Sequence, residues 1–89
     1  MININKDELN IYEVESLHQM LLKEFEQESV LVDMKNVNKI DMSVIQLFIS
    51  TQNSCKNSSK EFGLKNVNSE VIQILKSCKC DFLLGLDNE

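Results

Sequence analysis

The sequence predicts an α/β fold, a small domain whose mostly parallel four-stranded sheet is packed with three to four helices. Three observations carry that expectation. Segments of strand period alternate with segments of helix period along the 89 residues, an order that implies right-handed crossovers and parallel strands. Val30, Leu31, Val32 and Met34, interrupted only by Asp33, form an apolar run suited to a strand covered on both faces. Proline is absent and glycine occurs only at Gly63 and Gly85, which leaves too few turn formers for a many-turned sandwich or barrel. A chain of this length buries somewhat under roughly 70% of its unfolded surface, enough for one modest core, so residues 1–89 are expected to form a single domain.

Met1 to Asn5 alternates apolar and polar residues, the period of a half-exposed edge strand. Val14, Leu17, Leu21 and Phe25 then recur at helical spacing, joined by His18 and Leu22, with Glu15, Ser16, Gln19, Lys23 and Glu26 on the other side. This first helix should start between Asn10 and Glu13, because Asn10 is a good cap and Glu13 can reach back as in a capping box. The Val30 to Met34 strand and a loop from Lys35 to Ile40 lead into a second helix. Its apolar face carries Val44, Leu47, Phe48, Thr51 and Cys55. Phe62, Leu64 and Val67 alternate with polar residues as a short strand, and Gly63 marks a close backbone approach. Asn68 or Ser69 should cap a third helix that turns Val71, Ile74, Leu75 and Cys78 inward. The apolar tail Phe82 to Leu86 is expected to dock as an extended piece.

Charge and composition exclude several functions. Fourteen acidic and nine basic side chains give a formal charge of −5, and no Lys/Arg stripe could track a phosphate backbone, so nucleic acid is not an expected partner. No apolar run approaches the roughly 20 residues that span a bilayer, and MININKDELN lacks the regions of a signal peptide, so a cytoplasmic location without membrane insertion is expected. Three cysteines without a disulfide-framework spacing agree with a reducing compartment. Cys55, Cys78, Cys80 and His18 can be assembled on paper into a zinc site. Yet Cys55 and Cys78 fall on apolar helical faces, where free cysteine behaves as a small hydrophobe, and His18 reads as packed against the core. Met20 and Met34 suit core filling. With no phosphate-cradling glycine loop and no histidine-based general base, the chain is expected to be neither an enzyme nor a cofactor carrier.

Chemistry concentrates where the second helix begins. Asp41 can cap it by accepting from the free amides of its first turn, which leaves the Ser43 hydroxyl at the positive end of the helix dipole. A phosphate added there would meet backbone donors. Capping alone also accounts for both residues.

Three stretches resemble a STAS domain, the module of bacterial anti-sigma-factor antagonists and related regulators. LNIYEVESLHQMLLKEF (Leu9 to Phe25) is similar to the family's strand leading into its first helix. VLVDMKNVNKIDMSVIQLF (Val30 to Phe48) resembles the central strand, loop and switch helix, where D-S-S-G or D-x-[SA]-G opens the helix. FGLKNVNSEVIQILKSC (Phe62 to Cys78) resembles the following strand and helix. In the antagonists the serine before the motif glycine is phosphorylated by a partner kinase that is also an anti-sigma factor. The resemblance places Ser43 at that serine and Asp41 at the motif aspartate, with Met42 for the first serine and Val44 for the glycine. It implies a phosphorylation site at Ser43 and a partner-binding surface made of Asn38, Lys39, Asp41, Met42, Ser43 and Val44. It also implies a monomer or weak dimer whose partner is an anti-sigma factor or serine kinase that itself supplies nucleotide and metal. The alternative is a non-phosphorylated STAS subunit of a larger assembly, such as a lipid-transport ATPase complex or a chemotaxis or signalling scaffold. A metal-binding redox module built on the cysteines is a third possibility.

Overall fold

In the computed structural model, which describes residues 1–84, three parallel strands form the main sheet. They are β1 (Ile2–Asn3), β3 (Ser29–Asp33) and β5 (Glu61–Lys65), in the order β1-β3-β5. The remaining strands, β2 (Glu8–Leu9) and β4 (Lys39–Ile40), make a separate parallel pair. The described residues therefore form an α/β domain with two parallel sheets, of three and two strands, where one sheet of four was expected. The cause lies in the predicted loop. After β3 the chain turns at Met34, whose carbonyl accepts from the Val37 amide at 3.0 Å, and Val37 is buried. The backbone has then left the main sheet before Lys39 and Ile40 pair with Glu8 and Leu9.

Register decides which sheet face is covered. Ile2 lies beside Val32 and Val32 beside Leu64, while Val30 lies beside Phe62. Parallel partners point the same way, so these residues share one apolar face. Ser29, Leu31 and Asp33 point to the other face with Glu61, Gly63 and Lys65. Leu31 is only half-buried, so β3 is fully covered on one face and not on both. A Cβ at Gly63 would meet Leu31 Cδ2 at 3.2 Å, a tight contact with the mobile end of a side chain.

The helices supply the cover. Leu17 and Leu21 of α1 (Val14–Glu24) are buried, as are Val44, Ile45, Phe48 and Cys55 of α2 (Met42–Asn57) and Val71 and Leu75 of α3 (Ser69–Ser77). Asn10 opens a 3-10 turn, Ile11–Glu13, that runs into α1. Its side chain accepts from the Tyr12 amide at 2.9 Å and Glu13 accepts from the Asn10 amide at 3.3 Å, so the capping box is present. Three side chains read as core are instead exposed. Leu22 is 53% and Met20 40% exposed, and His18 also faces outward. The buried stripe of α1 is narrower than its sequence period suggests. The expected extended tail is a 3-10 helix over Asp81–Leu84 with Leu83 and Leu84 buried; Gly85 and Leu86 lie outside the described residues.

Two helices end alike. At the end of α2 the Lys60 amide donates to the Cys55 carbonyl (2.7 Å) and the Ser59 amide to Lys56 (3.3 Å). At the end of α3 the Cys80 amide donates to Leu75 (2.7 Å) and the Lys79 amide to Lys76 (3.1 Å). Both are Schellman motifs, which need a left-handed residue just past the helix. Ser59 and Lys79 fill that position with φ of 58° and 60°, although an L side chain there costs about 1–2 kcal/mol. Glycine removes that strain at some cost in unfolded-state entropy, so Ser59→Gly and Lys79→Gly should each raise stability by about 0.5–1 kcal/mol. Thermal melts check this, and an unchanged or lower midpoint counts against the strain argument.

Candidate functional site

The site forms where β4 hands over to α2. Asp41 has an extended backbone (φ −107°, ψ 177°), which turns its carboxylate back over the first helical turn as an N-cap requires. Its Oδ1 accepts from the Val44 amide at 3.2 Å and from the Ser43 hydroxyl at 2.6 Å. Its Oδ2 accepts from the Ile11 amide at 2.9 Å. The main chain is tied in as well, since the Asp41 amide donates to the Leu9 carbonyl (3.2 Å) and the Asp41 carbonyl accepts from Ile45 (3.2 Å). One carboxylate thus joins the start of α2 to the 3-10 turn before α1. The Ser43 hydroxyl, aided by the backbone amides, stabilises the charged form and lowers the Asp41 pKa against the opposing effect of burial.

Five of the six side chains assigned to a partner surface are available at this place. Asn38, Lys39 and Met42 are exposed, and Asp41 and Ser43 are half-buried. Val44 is 0% exposed. It belongs to the core face of α2 and offers no side chain to a partner, which corrects its place in the surface. The branched chain is inside, so it adds no bulk to the outside of the turn where the family motif has glycine. The loop before the site is held from two sides. The Asp7 carbonyl accepts from the amides of Asn38 (2.7 Å) and Lys39 (3.2 Å). Asn68 Nδ2 donates to the carbonyls of Lys35 (3.0 Å) and Val37 (2.8 Å) and to Oδ1 of Asn38 (3.1 Å). Asn68 stands at the N-cap position of α3 but its side chain caps nothing there; it fastens the loop.

The isoleucine-tyrosine pair that precedes α1 adjoins this place through the Ile11 amide. Ile11 is 63% and Tyr12 88% exposed, and the Ile11 amide is the one bound by Asp41. Met42, in the first turn of α2, is 50% exposed. The Asn10 and Glu13 capping box places Ile11 and Tyr12 outside the stripe that begins with Val14 and Leu17.

Asp33 is buried but serves the loop after β3. It accepts from the Lys35 amide (3.0 Å) and from Asn66 Nδ2 (3.3 Å). The Lys35 amide, with Asn66 adding to it, lowers its pKa despite burial. The four residues of the paper zinc site are not brought together. Cys55 is buried in α2, His18 lines the groove between α1 and α2 with Leu22 and Leu47, and the other two cysteines lie at the end of α3. Among the described residues no three His, Cys, Asp or Glu side chains converge as metal ligands, and no helix is long and apolar enough to cross a membrane.

The sequence pattern of the STAS domain matches residues 2–89. No curated protein matches the chain.

Proposed function

The chain belongs to the STAS domain family, and on that premise we propose that it is a regulator of the anti-sigma-factor antagonist type, acting by partner switching under control of phosphorylation at Ser43. The observation that carries this reading is the shared carboxylate: Asp41 holds the Ser43 hydroxyl with one oxygen and the Ile11 amide with the other. The partner is a protein, an anti-sigma factor or serine kinase, which docks on Met42, Ile11 and Tyr12 and on the exposed loop residues Asn38 and Lys39. The chain itself performs no chemistry; the kinase transfers the phosphoryl group from its nucleotide to Ser43 Oγ.

Phosphorylation would change three things at once. Ser43 Oγ could no longer donate to Asp41. About 1.5 to 2 negative charges would appear beside a carboxylate, and the two anions would compete for the Val44 amide. Asp41 would then be driven off its cap, loosening its hold on Ile11, and a charge would stand beside the exposed Met42. Each change weakens docking, so the modified form releases its partner.

The alternative is an unphosphorylated STAS subunit of a larger assembly. Its support is that Met42 replaces the first serine of the family motif and that the Ser43 hydroxyl already has a structural use in the cap. Binding to the partner separates the two readings. Ser43→Asp should weaken affinity at least roughly tenfold, equivalent to about 1.4 kcal/mol, while Ser43→Ala should bind nearly as well as the unaltered chain. Equal titration curves for both variants would favour the assembly subunit.

A further inference from the structure

We propose that Cys78 and Cys80 form a dithiol site that exchanges with low-molecular-weight disulfides and closes into an intramolecular disulfide at the end of α3. Cys78 is the last residue of the cap and Cys80 the second residue beyond it, with the left-handed Lys79 between them (φ 60°). Two consecutive Cα steps of about 3.8 Å each, folded back by that turn, bring the pair toward the roughly 4.4–6.8 Å that a disulfide spans. Hydrogen bonds record the convergence. The Leu75 carbonyl accepts both the Cys78 thiol (3.5 Å) and the Cys80 amide (2.7 Å), and the Cys80 thiol donates to the Cys78 carbonyl (3.4 Å).

Exposure assigns the roles. Cys78 is half-buried and reachable, whereas Cys80 is only 6% exposed. The adjacent Cys78 thiol and burial both push the Cys80 pKa up, so first attack falls to Cys78. The Cys78 thiolate attacks one sulfur of the small disulfide; that bond breaks, one thiol leaves, and a mixed disulfide remains on Cys78. Cys80 then gives up its proton to solvent and attacks Cys78 Sγ, releasing the second thiol. Two cysteine thiols are oxidised and one small disulfide is reduced to two thiols. Cys55, 1% exposed on α2, takes no part and is an internal control.

The test treats the full reduced chain with oxidised glutathione, then measures intact mass and maps peptides after alkylating the remaining thiols. The expected product has lost two hydrogens and links Cys78 to Cys80, with Cys55 alkylated after unfolding. Cys78→Ser should show no change in mass, and Cys80→Ser should stop with one glutathione on Cys78. If Cys80→Ser does not fold, the peptide map of the unaltered chain still decides. A chain that stays reduced, a stable glutathione adduct on Cys78, or a link that includes Cys55 would overturn the proposal.

Discussion

Val44→Gly, which restores the glycine of the family motif, should destabilise the fold by about 3–4 kcal/mol. The Val44 side chain is 0% exposed and sits with Ile45 and Phe48 on the core face of α2. Removing a fully buried valine loses roughly 1.5–3 kcal/mol of burial, with a further penalty for the space left behind. Glycine in a helix adds roughly 0.5–1 kcal/mol over alanine. Val44→Ala should therefore retain part of the loss, at about 2 kcal/mol. Urea denaturation of the three proteins measures the series, and a loss below about 1 kcal/mol for glycine would show that the core does not depend on this side chain. A core valine also explains how the motif can lose its glycine without closing the site.

Asp41→Ala should cost about 2–3 kcal/mol, which in a chain of this size lowers the melting temperature by roughly 10–20 °C. The cap on the Val44 amide accounts for about 1 kcal/mol. The charge-assisted bond from Ile11 and the orphaned Ser43 hydroxyl account for the rest. Asp41→Asn keeps an acceptor for the cap and should recover about half of the loss. Acid provides an independent reading. The folded-state pKa of Asp41 is depressed, so its contribution is fully present above the unfolded carboxylate value near about 4 and is lost as pH falls through the lower folded value. Asp33 acts in the same direction. Stability of the unaltered chain should fall on acidification through this window, and Asp41→Ala should fall less. Parallel acid limbs in the two proteins would remove Asp41 as a contributor.

Much of this was legible in the residues. Val30 to Met34 announces a strand by its apolar run, and Asp41 followed by Val44, Phe48 and Cys55 announces a capped helix, although that stripe left out the buried Ile45 and took in the half-buried Leu47 and Thr51. Other features are set by parity and backbone pairing, which a single segment does not display. Whether Val30 or Leu31 faces the helices depends on register with Phe62 and Gly63, so a continuous apolar run looked covered on both faces. The β2 and β4 strands are two residues each, too short for any period. In α1 the apolar stripe included His18 and Leu22, but only Leu17 and Leu21 are buried. Asn68 reads as a cap from its type and position, yet its side chain is oriented so that Nδ2 donates to loop carbonyls and its oxygen accepts from no helix amide. In the site, the Asp41 and Ser43 pair is local and was visible, whereas Ile11 joins through a contact thirty residues away.

The most direct test of the Ser43 switch is intact-mass measurement after incubating the full chain with ATP, magnesium and the serine-kinase-type regulator encoded nearest to it. The expected result is a gain of one phosphate, mapped to Ser43 and absent from Ser43→Ala. No gain in mass, or a phosphate that persists in Ser43→Ala, would contradict it.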